Sequence, residues 1–159
     1  MLDWLQNTGI ARMVQESIWG YPIVLSSHAV GMAILAGIVL MINFRILGLA
    51  PAIPLSALKT MFRFALVGLV INLVSGLMLF VANADAFFQS NPFRIKIILL
   101  IVGITLMVKM SGQFFDRTDS VEDMVPTKQV KTMAVISSVA WFGVIIAGRL
   151  IAYIDWKEF

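Results

Sequence analysis

The chain has 159 residues, of which 60% are hydrophobic and 13% charged, and its mean hydropathy is +0.92. A soluble fold of this size would have to expose far too much apolar side chain, so the composition excludes a soluble globular domain and points to a bilayer as solvent. The net charge of +3 does not signal nucleic acid, because the basic residues are scattered at the ends of apolar runs. The absence of cysteine excludes disulfides, thiolate metal sites and Cys nucleophiles.

At the N-terminus, Thr8 is placed to cap a short helix over about 8–19. Ile10, Met13, Val14 and Ile18 share one face of it, and Arg12, Gln15 and Glu16 fall mostly on the other. Such a helix lies along the membrane surface or packs on the end of the bundle. The first 20 residues hold no continuous apolar core, and the first long apolar run exceeds a signal peptide's. The first span is therefore expected to insert and stay.

Four apolar stretches follow, at about 22–45, 60–82, 93–111 and 130–154, each near the ~20 residues that cross ~30 Å of hydrocarbon. All four must be helices, since lipid offers no partner to an unpaired backbone. Their starts are punctuated. Pro22 opens the first, Ser56 is a candidate N-cap for the second, Asn91-Pro92 caps the third, and Pro126-Thr127 precedes the fourth. The reading is a single all-α domain, an integral membrane four-helix bundle with a short N-terminal amphipathic helix.

An even number of spans puts both termini and the 83–92 connection on one side, and the 46–59 and 112–129 connections on the other. Arg12, Arg94, Lys96, Arg149 and Lys157 lie on the terminal side. Arg45, Lys59, Arg63, Lys109, Arg117, Lys128 and Lys131 lie opposite. This bias places both termini outside the cytoplasm. Trp4, Trp19, Tyr21, Tyr153 and Trp156 gather at the terminal end, where an aromatic belt belongs. The 112–129 loop, with Asp116, Arg117, Asp119, Glu122 and Asp123, is the longest polar segment and carries no catalytic motif.

Small and polar residues mark packing faces. On the second span Ala65, Gly68, Asn72, Ser75, Gly76 and Asn83 form a stripe. The first span has Ser27, Ala29, Gly31, Ala33 and Gly37, and the fourth has Ala140, Gly143 and Ala147. Such faces let helices approach closely, within one chain or between copies, so a homo-oligomer or a place in a larger membrane complex is expected. Asn72, near mid-span, should face protein, as an interhelical hydrogen-bonding group or a ligand contact.

Depth singles out one layer. His28, the only histidine, lies roughly 9 Å inside the first span at 1.5 Å per residue. Arg149 comes to a similar depth on the same side, Arg94 and Lys96 open the third span there, and Met78 nears the end of the second. These are the parts of a b-type haem pocket: His28 for the iron, Met78 as a thioether opposite, and Lys96, Arg94 and Arg149 as basic residues for the propionates. A second His28 from another subunit is the alternative partner. The plain alternative is a histidine hydrogen-bonded between helices, with Arg149 and Lys96 snorkelling to the interface.

No Asp or Glu falls within the spans, which disfavours proton- or sodium-coupled transport. No Ser-His-Asp set, paired-carboxylate site, zinc helix motif or phosphate-binding glycine loop is present, which removes hydrolytic and phosphoryl-transfer chemistry.

The runs Ser27-His28-Ala29-Val30-Gly31, Phe44-Arg45-Ile46-Leu47-Gly48, Asn91-Pro92-Phe93-Arg94-Ile95-Lys96 and Ala147-Gly148-Arg149-Leu150-Ile151-Ala152-Tyr153 resemble a bacterial family of four-helix membrane proteins of unknown function, over nearly the whole chain. The resemblance implies the bacterial inner membrane. More distantly, a histidine early in one span, an arginine at its far end and a lysine opening a later span resemble HemJ-type haem-binding and CopD-like membrane proteins. That likeness implies His28 as ligand, with Arg45 and Lys96 as the matching basic positions. The chain departs from it in having no second histidine. Three readings result: a haem-associated or redox membrane protein, a non-catalytic subunit or oligomeric scaffold, and a lipid- or quinone-binding protein.

Overall fold

The computed structural model describes residues 2–115, 126–151 and 153, and these residues form seven helices and no strand. Two short helices, α1 (Asp3–Gln6) and α2 (Gly9–Glu16), precede α3 (Gly20–Leu47) and α4 (Ala57–Ala82). A further short helix, α5 (Ala84–Gln89), connects α4 to α6 (Asn91–Phe115), and α7 (Lys128–Leu150) closes the bundle. α3, α4, α6 and α7 are long and apolar enough to cross a membrane. The chain is a multi-pass, all-helical membrane bundle. The acidic residues of the 112–129 loop, Trp156 and Lys157 lie outside the described residues.

The helix boundaries follow local chemistry. Thr8 and Thr127 accept hydrogen bonds from the amides of Ala11 and Val130, both at 3.4 Å. The third span starts earlier than its apolar run: Ser90 caps it, its Oγ accepting from the Phe93 amide, so Asn91 and Pro92 already belong to the first turn. Ser56 makes no side-chain cap bond, because its backbone is already helical. α3 stops at Gly48, whose φ of 85° lets the Gly48 and Leu49 amides reach back to the carbonyls of Arg45 and Phe44.

α2 is turned relative to the expected apolar face. Ala11 and Val14 are buried against α3 and α4, and Gln15 Nε2 donates to the Ala82 carbonyl. Ile10, Met13 and Ile18 stay exposed beside Trp4 and Trp19. The helix therefore packs on the end of the bundle with its smaller apolar residues and leaves the larger ones outward.

α3 and α4 pack along most of their length, α6 packs on α7, α7 also packs on α3, and α4 and α6 scarcely touch. The α3–α4 seam is close because it is built from glycine. A Cβ at Gly31 would stand 2.8 Å from the Asn72 nitrogen, and one at Gly68 would stand 2.7 Å from the Leu35 nitrogen. Ala65, Asn72 and Ser75 are buried with Gly68 on the same face of α4. On α7, Ala140 and Ala147 are buried, and Gly143 faces Leu99. On α3 the small residues divide. Gly31 faces α4, while Ala29, Ala33 and Gly37 are exposed, with nothing within 4 Å of a Cβ at Gly37.

The core is concentrated away from the terminal end. Leu35, Val39, Ile42, Ile46, Leu58, Phe62, Met107, Met110, Val130 and Trp141 are buried there in one cluster. Within it Asn43 Nδ2 donates to Ser137 Oγ at 3.0 Å. Asn43 Oδ1 and Trp141 Nε1 are buried without a hydrogen-bond partner among the described residues.

Candidate functional site

Where α4 and α6 fail to meet, a half-enclosed cavity of about 930 Å³ opens, bounded by α3, α4, α5, α6 and the end of α7. α5 connects the ends of α4 and α6 and touches both. Phe93 bridges that gap by stacking on Phe80 at 5.6 Å between centroids and tilting against Phe87 at 5.3 Å. Along the axis, the cavity runs from Asn83 and Ser90 at the terminal end to Leu69 and Ile104 at mid-bundle. This is a depth of about 20 Å at 1.5 Å per residue.

His28 and Lys96 both line the cavity. His28 Nδ1 lies 3.1 Å from the Asn72 carbonyl oxygen and 3.1 Å from Ser75 Oγ. A carbonyl can only accept, and the Ser75 hydroxyl already donates to the Ile71 carbonyl at 2.6 Å. Nδ1 therefore carries the proton, and Nε2 presents a lone pair. Lys96 Nζ lies 3.4 Å from Nε2 and donates to it. The ring is seated over Gly76, where a Cβ would stand 3.0 Å from its Cε1. Asn72 returns a bond, its Nδ2 donating to the His28 carbonyl at 2.9 Å. Asn72 thus takes the interhelical role, and its backbone oxygen orients the histidine.

Lys96 comes from α6, and its aliphatic stem passes the backbone of Gly148 on α7, where a Cβ would lie 3.5–3.7 Å from its outer atoms. It reaches His28 on α3 and has no other hydrogen-bond partner among the described residues. Arg149 also lines the cavity. Its guanidinium donates to the Tyr153 hydroxyl at 2.7 Å and lies 5.0 Å from that ring. Among the described residues, no Asp or Glu lines the cavity.

Of the residues gathered by depth, His28 and Lys96 are in contact, and the exposed Arg149, with its guanidinium on Tyr153, lines the same cavity. Met78 lies at the right level but faces away, packing on the cluster of Val14, Val24, Leu79 and Ala82. Arg94 also points outward: its Nε donates to the Phe88 carbonyl at 3.1 Å, with the guanidinium 5.7 Å from the Phe88 ring. Arg45 is held at the opposite end by the Ile53 carbonyl. Ser75 and Gly76 were legible only as packing residues. The polar stripe on the second span carried the signal, since it had to meet something on the first. Among the described residues no group of three or more His, Asp or Glu could hold a metal ion, so a bare ion would find a single imidazole.

Residues 16–154 match the family of unknown function DUF6644. The chain belongs to that family. No curated protein matches it, and neither does any solved structure.

Proposed function

We propose that this DUF6644 protein binds one amphipathic molecule in the α4–α6 cavity, and that the molecule is haem b with the His28 imidazole as its axial ligand. The observation that carries this reading is the held tautomer: Nδ1–H is fixed by the Asn72 carbonyl and Ser75, and the Nε2 lone pair is turned to the cavity. An outer partner of this kind orients a ligating imidazole and raises its basicity. The residues present fit the group. His28 would hold the iron, Lys96 and Arg149 are the nearby cations for its propionates, and leucine and phenylalanine side chains supply an apolar wall. When bound, haem supplies one-electron redox chemistry. Met78 and Arg94 have no part in this reading, because both face away from the cavity.

The test is the visible spectrum of protein expressed with ample haem and purified in detergent. A reduced-minus-oxidised α band, confirmed as haem b by pyridine haemochrome and lost in His28→Ala, is the expected result. A colourless wild-type preparation overturns the reading.

A lipid or quinone is the second reading, and one observation favours it. Lys96 Nζ stands on the Nε2 lone pair, so a ligand that engages the ammonium needs no rearrangement at the imidazole. Organic extraction of the purified protein followed by mass spectrometry separates the two, with a stoichiometric lipid or quinone and no porphyrin as the outcome that favours the second.

A further inference from the structure

The ligand class can be narrowed from the charges alone. Lys96 sits at the level of His28, inside the span Asn91–Gly112, with one neutral acceptor as its hydrogen-bond partner. An ammonium in such a place is costly unless an opposite charge meets it. Arg149 adds a second cation to the same lining, which holds no carboxylate among the described residues. Asp85, the acidic residue of α5, does not line the cavity and accepts from the Leu2 amide at 3.2 Å. The protein itself, over the described residues, offers these cations no counter-charge.

The shape of the cavity indicates how a counter-charge would arrive. Polar groups line its terminal end, and apolar side chains line its inner end. This is the direction in which an amphiphile of that leaflet lies, head outward and tail toward mid-bilayer. Leu73 and Leu77 of α4 and Ile97 of α6 line the cavity and are also exposed, so the gap between these helices opens sideways onto lipid.

We propose that the cavity takes an acidic amphiphile sideways from the bilayer, with its carboxylate or phosphate paired to Lys96 and Arg149 and its apolar part filling the gap between α4 and α6. This rests on the α4–α6 cavity being the ligand site, and not on iron. An acidic tetrapyrrole and an anionic phospholipid share the required chemistry.

The experiment uses the full chain in phosphatidylcholine nanodiscs and has two arms. In the first, protoporphyrin IX and its dimethyl ester are titrated by fluorescence. In the second, native mass spectrometry follows retention of phosphatidylglycerol against phosphatidylcholine from mixed discs. The expected result is a preference for the acid over its masked or zwitterionic counterpart, of about tenfold, in one arm, and that arm identifies the source. Lys96→Gln removes the preference, and Lys96→Arg keeps it.

Equal binding of acid and counterpart in both arms of the wild type overturns the proposal, as does a preference that survives Lys96→Gln. Should Lys96→Gln not elute as a folded protein, the wild-type comparison decides alone. The porphyrin carries no iron, so an acid preference without a haem spectrum ends the haem reading and leaves this one standing. A haem spectrum with no acid preference does the reverse.

Discussion

At the end of the bundle where α3 hands over to α4, large side chains from four helices fill the space between them: Leu35, Val39, Ile42 and Ile46 from α3, Leu58 and Phe62 from α4, Met107 and Met110 from α6, and Val130 and Trp141 from α7. At the terminal end the same helices surround a cavity of about 930 Å³. Its α3–α4 wall is lined by an imidazole over a glycine and its floor by leucines, while α5 contributes Ala86 and Phe87 to its outer end. The contrast shows that helix number and length do not determine whether a membrane bundle has an interior. Side-chain volume at the seams does.

Four substitutions bear on that contrast. Trp141 is fully buried in the filled end and its ring lies against Gly103, where a Cβ would stand 3.0 Å from it. Trp141→Ala should cost about 3–5 kcal/mol, read as the fall in unfolding midpoint in detergent. A cost near zero would mean that this half is no better packed than the other. Next is the glycine seam. Gly68→Leu meets backbone of α3 and should cost about 3 kcal/mol, with loss of the monodisperse species on gel filtration. Gly37→Leu, which enters open space, is the matched control and should elute unchanged. The smallest effect belongs to the cavity rim. Leu77 is 55% exposed, so Leu77→Ala should shift stability by about 0.5 kcal/mol or less while enlarging the sideways opening. A large loss there would show that the rim is structural.

The sequence carried depth well and azimuth poorly. Counting at a fixed rise placed His28, Lys96, Arg149, Met78 and Arg94 in one layer; in the structure Lys96 meets His28 and passes Gly148. Which of them point inward depends on how each helix is rotated, and that is decided by packing at other levels. Gly68, Asn72, Ser75 and Gly76 define the face of α4 that meets α3, and Met78 is two residues, about 200°, round from Gly76. The small-residue stripe held enough information to exclude Met78 from the site. Arg94 and Lys96 are separated by the same angle. α5 was not legible, because a helix of six residues is too short to show a period, yet its Ala86 and Phe87 line the cavity. The outward turn of Ile10 and Met13 was hidden for a similar reason: α2 has two candidate apolar faces, and only contact with α3 and α4 chooses between them.

The paired bonds between His28 and Asn72 set which movements the molecule can make. Each residue gives its backbone carbonyl to the other's side chain, at 3.1 and 2.9 Å, across a seam where Gly31 and Gly68 leave no slack. Sliding or rolling α3 on α4 would break both bonds together, so these two helices act as one stiff leaf. α6 and α7 form the other leaf, with α3 against α7 as the spine. Across the open edge the leaves are latched by a flexible lysine chain on the histidine and by the stacked Phe80 and Phe93. A change in the angle between leaves would therefore cost little near the cavity and much at the core, which makes the bundle a book that can open only at one end.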